Sequence, residues 1–263
     1  MAWAVRNSQG EVSWVGFDSG AHLVQTGQSL VEITDDQAIA VMEGRLQMAD
    51  LFQTARPQQP KPQAVELTNK NLFTRRYPAL MWDRDVDALA ALAAQIPQGG
   101  IAAEVGSRLG GSAKIILEHA PHLKRLYCFD PEWKDGESRA LSDPYMDHFR
   151  QQWQLDTYVN CFAFAQALLA DEPRARLLPL SSPYEIGWWT EMVDFMFEDS
   201  GHENPQLSDT LEFWTPLVKS GGIIAGHDYG PMWSDVQAEA DALAKRLNTT
   251  LQVRGTVWWL IKP

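Results

Sequence analysis

The chain has 263 residues and a mass of 29.6 kDa, a length that fits one large domain or one ordinary domain with a small module. Its 45% apolar and 21% charged residues exclude a disordered, collagenous or coiled-coil protein, and no apolar run approaches the ~18 residues that cross a bilayer. A formal charge of -12 and a pI near 4.9 argue against a nucleic-acid partner, because binding to a phosphate backbone needs an excess of Lys and Arg.

The first elements of the chain predict a small β-containing module. Two β-rich runs, at 2–7 and 11–17, flank the turn residues Ser8-Gln9-Gly10, which is typical of a hairpin. A helix is expected at about 35–52. The segment 56–63, RPQQPKPQ, has three prolines and no sustained apolar pattern, so we interpret it as a stiff linker.

These patterns divide the chain into a module at 1–55, a linker at 56–63 and a larger domain at 64–263. Over about 45 residues the module resembles the small amino-terminal domains of phage tail-fibre assembly proteins. We interpret it as a docking or oligomerisation module, through which the chain would form a homo-oligomer.

The cysteines and the amino terminus bear on the compartment. Cys128 and Cys161 lie in apolar surroundings and match no CxxC spacing, which argues against zinc, attached haem or a disulfide framework. The first ten residues lack the basic and apolar regions of a secretory signal. We therefore expect a cytoplasmic protein.

Beyond the linker, short apolar runs alternate with amphipathic helices, a pattern typical of βαβ units and a parallel sheet. The second domain is therefore predicted to be an α/β, Rossmann-like fold that ends in an antiparallel hairpin. A helix is expected at 85–96 and a second at 113–120. Strands are expected near 101–105, 125–130, 176–180, 193–198 and 222–227, followed by the two hairpin strands at 250–254 and 256–261.

A glycine-rich loop follows the first of these strands. Glu104 ends the strand, and the loop then places Gly106, Ser107, Gly110 and Ser112 before a helix. Glycine lets the backbone approach a ligand closely, while a helix amino terminus presents unpaired N–H groups. The alternative is a tight strand-to-helix turn that binds nothing.

A second acid helps to decide between these interpretations. Asp130 ends the next strand, 26 residues after Glu104, where nucleotide-binding sheets hold a ribose diol; it would otherwise cap a helix. The loop lacks the GK[ST] of a phosphate loop and reads GxxxGG instead of the dinucleotide GxGxxG. Glu104 would repel a pyrophosphate but suits the ammonium and sulfonium charges of S-adenosylmethionine. A nicotinamide-dependent oxidoreductase is thus disfavoured.

Four motifs in order, EVGSRLGGS, FDPEW, VDFMFEDSGH and LEFWTPLVKSGGIIAGHDYG, make residues 98–263 similar to class I S-adenosylmethionine-dependent methyltransferases. The branch that they resemble includes metal-assisted sugar O-methyltransferases. The resemblance implies a seven-stranded sheet. It also implies that the glycine loop binds the methionine part of the cofactor, that Asp130 binds the ribose, and that Ser181 and Ser182 bind the adenine.

Acidic and histidine residues follow two adjacent strands. Asp199 and His202 come after one strand, and His227 and Asp228 come after the next, so all four are expected at one edge of the sheet. Two carboxylates suit Mg²⁺, which would orient an acceptor hydroxyl, while a neutral imidazole suits a general base.

The resemblance assigns a metal and cofactor role to Asp199, a base role to His202 and a second metal-binding acid to Asp228. The chain departs from the relatives' usual IDGDHSY, since it reads FEDSGHE at 197–203. The alternative is that the histidines are satisfied in loops and that Asp228 caps a helix. The expected function is O-methylation of a small-molecule or glycan hydroxyl; the rival is a binding or assembly protein on the same scaffold.

Overall fold

A computed structural model of the chain describes residues 2–7, 12–16, 28–33, 73–134, 138–141 and 146–263. The chain divides into two compact units, Met1–Lys70 and Asn71–Pro263. The predicted helix at 35–52 and the predicted linker at 56–63 lie outside the described residues, so the proposed domain boundary stays a prediction.

The first unit contains a three-stranded antiparallel sheet. Its strands are β1 (Ala2–Asn7), β2 (Val12–Gly16) and β3 (Gln28–Ile33), in the order β2-β1-β3. Pairing of β1 with β2 confirms the predicted hairpin. The third strand was not predicted; it covers the other edge of β1.

The second unit alternates strands and helices, as the apolar pattern predicts. In chain order its elements are α1 (Asp83–Ala93), β4 (Ile101–Val105), α2 (Gly111–His119), β5 (Arg125–Phe129), a 3₁₀ turn (Pro131–Trp133), β6 (Ser138–Ala140), α3 (Met146–Trp153), β7 (Tyr158–Asn160), α4 (Cys161–Leu168), β8 (Ala175–Leu178), β9 (Val193–Glu198), α5 (Gln206–Leu217), β10 (Val218–Gly226), α6 (Ser234–Arg246), β11 (Gln252–Arg254) and β12 (Val257–Ile261). None of the helices in the described part of the chain is long and apolar enough to cross a membrane.

Seven of the described strands form one mixed sheet in the order β11-β12-β10-β9-β4-β5-β8. The five strands from β10 to β8 are parallel, and β12 runs antiparallel to both of its neighbours. This arrangement confirms the predicted Rossmann-like α/β fold with a carboxy-terminal antiparallel hairpin.

Helices cover both faces of this sheet, because its central strands are apolar on both sides. Successive side chains of β9 point to opposite faces. Phe195 and Phe197 pack into one buried cluster with α1 and α2, and Met196 packs into the other with α5 and α6. The sheet is thus the middle of three layers.

The first helix begins two residues earlier than predicted and is tied to the last hairpin. Asp85 accepts hydrogen bonds from the backbone N–H of Trp82 (3.1 Å), at the start of α1, and of Thr256 (2.7 Å), between β11 and β12. A Cβ atom on Gly255 would lie 1.9 Å from Asp85 Oδ1, and Gly255 has a φ of +68°. Glycine is therefore required for this buried carboxylate to reach the turn.

The strand order creates a crevice at the carboxyl edge of the sheet. The chain moves from β4 towards β5 on one side and from β9 towards β10 on the other, while β4 and β9 are neighbours. Open parallel sheets bind ligands where the strand order reverses in this way. The four loops that follow β4, β5, β9 and β10 meet at this place.

Candidate cofactor and catalytic site

Gly106 allows the loop after β4 to cross the end of β9 at close range. It has a φ of +93°, and a Cβ atom there would lie 2.2 Å from the carbonyl oxygen of Asp199. Its N–H donates to the carbonyl of Phe129 at the end of β5 (2.8 Å). A single glycine thus brings three strand ends together.

The same loop leads directly into α2. Gly110, with a φ of +80°, is the residue before the helix, and Gly111 and Ser112 form its first turn. The N–H groups in the first turn of a helix have no partner within the helix. Gly106, Ser107 and Ser112, all predicted site residues, face the cavity described next.

A cavity of about 460 Å³ lies at the crevice. One wall is the glycine loop, and Asp130 and Glu132 after β5 lie at the cavity edge. Asp199, His202, His227 and Asp228 line another part of it, and Pro78 to Met81 close the remaining side. The cavity therefore joins the predicted cofactor loop to the predicted acid and histidine cluster.

Glu104 lies behind this wall and is not among the residues that line the cavity. The hydroxyl of Ser107, which does line it, donates a short hydrogen bond to one Glu104 oxygen. The other oxygen, Oε1, is buried without a hydrogen-bond partner among the described residues. Burial raises the pKa of Glu104 to about 7, while the bond from Ser107 opposes that rise.

Asp130 lines the cavity and also caps the 3₁₀ turn that follows β5. Its two carboxylate oxygens accept the backbone N–H groups of Arg108 (2.7 Å) and Glu132 (2.8 Å). Burial raises the pKa of Asp130, and these two bonds oppose the rise. Each oxygen keeps a further lone pair, so the cap and a bound ribose hydroxyl are compatible.

Ser181 and Ser182 are not brought together with the other predicted cofactor residues. Neither lines the cavity. Ser182 is buried, and its hydroxyl accepts a hydrogen bond from the indole N–H of Trp214 (2.8 Å). The backbone N–H of Ser181 donates to Glu185 (2.9 Å). Both serines thus take part in local packing after β8.

The predicted acid and histidine cluster is assembled at one edge of the sheet. His202 Nε2 lies 2.7 Å from Asp228 Oδ2. His227 Nδ1 lies 3.4 Å from Asp199 Oδ1 and 3.3 Å from Asp228 Oδ2. Asp228 has a φ of +62°, an uncommon conformation for a residue other than glycine, and it contacts both imidazoles.

His227 has an additional acidic neighbour that the sequence did not reveal. Its Nε2 has no hydrogen-bond partner among the described residues and lies 3.8 Å from Asp85 Oδ2, on α1. Burial lowers the pKa of His227, but Asp199, Asp228 and Asp85 outweigh burial and hold that pKa well above its ordinary value. Asp85 precedes the glycine loop in the chain and has no motif around it, so only the tertiary structure identifies it.

The cluster also offers the ligands that a cation needs. One ligand atom from each of Asp199, His202 and Asp228 can be chosen so that all lie within 4.8 Å of one another. Carboxylate oxygens suit Mg²⁺ and an imidazole suits softer divalent ions. These residues therefore fit the predicted metal, although His227 already contacts both carboxylates.

A second, smaller groove of about 270 Å³ opens beside His202. It is lined by Glu203, Met232 and Trp233 among others, and it shares His202 with the first cavity. The rings of His202 and Trp233 stack with their centroids 4.1 Å apart. His202 thus lies where a molecule in the groove would meet one in the cavity.

Residues 103–229 match a family described as a methyltransferase domain, a segment that runs from β4 to just beyond Asp228. In the second unit, this match and the strand order support a class I S-adenosylmethionine-dependent methyltransferase domain. The matched segment includes the complete loops after β4, β5 and β9, which are three of the four loops at the cavity. The match favours a methyltransferase over an oxidoreductase. No curated protein sequence matches the chain.

Several solved methyltransferases are similar in structure to this domain. The O-methyltransferase NovP is 16% identical, with 70% of this chain and 81% of that chain covered and a TM-score of 0.47. The calicheamicin methyltransferase CalS11 is 16% identical, with 67% of this chain and 77% of that chain covered and a TM-score of 0.43. An rRNA methylase from Streptococcus thermophilus is 14% identical, with 68% of this chain and 93% of that chain covered and a TM-score of 0.45. Likenesses at this level do not identify an acceptor.

The buried Glu104 gives the methyltransferase domain a predictable pH dependence. A pKa raised from 4.5 to about 7 means that the folded state binds more protons than the unfolded state between these values, so the free energy of unfolding falls as pH rises. We expect Glu104→Gln to raise the free energy of unfolding by on the order of 3 kcal/mol at most at pH 8 and by little at pH 5. Urea unfolding at both pH values measures this.

The exposed Glu212→Gln is the matched control and should leave the pH dependence unchanged. Burial also raises the pKa of Glu198 to about 7. Part of the pH dependence of stability should therefore remain in the Glu104→Gln variant. Equal pH dependence in the wild type and Glu104→Gln would contradict the assignment of a costly buried charge to Glu104.

Proposed function

We propose that the protein transfers the methyl group of S-adenosylmethionine to a hydroxyl oxygen of a small-molecule or sugar acceptor. The observation that carries this proposal is the pair of His202 and Asp228, 2.7 Å apart, at the junction of the cavity and the groove. A hydroxyl must lose its proton when it is methylated, and a neutral imidazole is a suitable acceptor for that proton near pH 7.

The cofactor is assigned to the 460 Å³ cavity. Asp130 would accept the ribose hydroxyls, and Gly106, Ser107 and Ser112 would hold the methionine part, with Glu104 behind Ser107. Gly110, also predicted to bind the cofactor, does not line the cavity and would serve to turn the loop into α2. Support for this comes from the methyltransferase family match and from the buried, unpartnered Glu104 Oε1. The assignment of Ser181 and Ser182 to the adenine rests on the sequence resemblance alone.

The chemical step is a direct displacement. A lone pair of the acceptor oxygen forms a bond to the methyl carbon while the carbon–sulfur bond breaks, and S-adenosylhomocysteine leaves. The hydroxyl proton moves to the ring nitrogen of His202 that does not contact Asp228. Asp228 orients the imidazole and stabilises its charged form, while the rest of the site contributes positioning.

A divalent ion is the second part of the proposal. Asp199 and Asp228 would bind Mg²⁺, which when bound supplies Lewis acidity that eases deprotonation of a hydroxyl. His202 is then left to act as the base. His227, held between the same two carboxylates, would lose its proton more readily beside an ion, so metal binding and proton release should be linked.

The remaining proposals concern the surroundings of the enzyme. The acidic charge and the small groove support a small or glycan acceptor rather than nucleic acid. Homo-oligomer formation through the first unit and a cytoplasmic location stay predictions from the sequence.

The cofactor assignment predicts a thermal shift with S-adenosylhomocysteine. A ligand at 100 times its Kd stabilises the folded state by about 2.7 kcal/mol, which raises the melting temperature of a domain of this size by several degrees. Differential scanning fluorimetry with millimolar ligand measures the shift, and adenosine monophosphate serves as the control nucleotide. No shift with S-adenosylhomocysteine would count heavily against the cofactor.

The base assignment predicts the effect of His202→Ala. Isotopically labelled cofactor, incubated with fractionated glycans and metabolites, first identifies an acceptor by mass spectrometry. With that acceptor, His202→Ala should lower kcat by about 10²- to 10⁴-fold while the Kd of S-adenosylhomocysteine stays the same. His119→Ala, at the exposed end of α2, is the matched control. An unchanged rate would remove His202 from the mechanism.

The rate should also fall as pH is lowered. Burial alone lowers the pKa of His202, but its bond to Asp228 and the neighbouring carboxylates raise that pKa above its ordinary value of 6.5. His202 must be neutral to accept a proton, so activity should appear as pH rises through this raised pKa, above 6.5. Asp228→Asn removes the main raising contact and should move the rise to lower pH.

Removal of divalent metal tests whether an ion takes part in the reaction. Dialysis against EDTA should abolish turnover, and added Mg²⁺ should restore it if Asp199 and Asp228 hold the ion. Binding of S-adenosylhomocysteine should survive the same treatment, because the cavity wall formed by the glycine loop does not depend on the ion. Full activity after chelation would mean that the carboxylates are stabilised by His227 instead.

A further inference from the structure

A segment that precedes the matched family region closes the cofactor cavity. Residues 73–82, here called the strap, lead into α1 and lie before residue 103, where the family match begins. Four successive strap residues, Pro78 to Met81, line the cavity and share it with the glycine loop. None of these four carries a charge or a polar side chain.

The strap lies directly against the first residue of α2. A Cβ atom on Gly111 would lie 2.3 Å from the carbonyl oxygen of Pro78 and 2.7 Å from the backbone nitrogen of Ala79. Gly111 does not have a positive φ, unlike Gly106 and Gly110. The need for glycine at position 111 is therefore explained by the close approach of the strap and not by backbone conformation.

The strap is held in place from both ends and from its middle. Thr74 N–H donates to the carbonyl of Met81 (2.6 Å), and the Thr74 hydroxyl donates to Asp83 (2.6 Å). The hydroxyl of Tyr77 donates to Glu118 on α2 (2.5 Å). Tyr77 does not line the cavity, so this bond attaches the strap to α2 from outside the site.

Burial differs along the strap in a way that points to a ligand. Ala79 and Met81 are 7% and 2% exposed and are already packed in the core. Leu80, between them, packs against the same core but lines the cavity and is only partly buried. An apolar side chain in this position gains free energy if a ligand removes the rest of its surface from water.

We propose that the strap is a cofactor-binding element, in which Leu80 covers the part of S-adenosylmethionine that lies on Gly111 and Ser112. This inference rests on the proposed cofactor site and adds a wall to it that the family match does not include. An apolar cover excludes water from the sulfonium and its carboxylate neighbours. Their attraction is stronger in such a medium than in water, so the strap raises affinity and limits hydrolysis.

The test measures binding of S-adenosylhomocysteine by titration calorimetry and needs no acceptor. Leu80→Ala should raise Kd by about 5- to 10-fold, since tenfold corresponds to 1.4 kcal/mol. Tyr77→Phe, which loosens the strap without touching the cavity, should raise Kd by about 2- to 5-fold. Met192→Ala and Tyr127→Phe, at an exposed methionine and at a tyrosine bonded to Glu191, are the matched controls.

Hydrogen exchange supplies a second readout that no substitution disturbs. Saturation of the wild type with S-adenosylhomocysteine should slow exchange at 73–82 as well as at 106–112. The proposal is overturned if exchange slows at 106–112 only, or if both strap variants, folded and with wild-type melting temperatures, bind with the wild-type Kd. A wild type that binds no S-adenosylhomocysteine at all is a different result, because it refutes the proposed function itself.

Discussion

The site depends on one close approach of two backbones. The loop after β4 crosses the end of β9 with no side chain between Gly106 and the carbonyl of Asp199. Any larger residue would push the two strand ends apart, and with them the cofactor loop and the acid and histidine cluster. The separation between the glycine loop and the acid and histidine cluster is therefore set by the absence of a side chain at position 106.

Around that approach, charge is arranged in two zones. Glu104 and Asp130 are buried carboxyls whose pKa values burial raises, whereas the pKa of Asp228 is lowered because burial is outweighed by its bonds to His202 and His227. The first zone suits a cationic cofactor, and the second holds two imidazoles beside a stabilised carboxylate. The strap and the glycine loop enclose the space between them.

Local sequence patterns were sufficient to predict most of the fold. The apolar run of β9, the glycine loop and the final hairpin each carry their own signal, so their positions followed from periodicity and turn residues. Parallel neighbours also placed Asp199 and Asp228 at one edge. What could not be predicted depends on contacts distant in sequence: the burial of Glu104 behind Ser107, the bond from Trp214 to Ser182, and the approach of Asp85 to His227. No local pattern encodes such contacts.

The tie between Asp85 and the turn at Thr256 bears on how large the working unit is. It joins the helix before the first sheet strand to the last hairpin, so the matched region at 103–229 is enclosed by chain on both sides. A fragment cut at those limits would lose a layer of helix, the anchor beside His227 and one wall of the cavity. In recombination or grafting, the indivisible piece is thus the whole second unit, Asn71–Pro263.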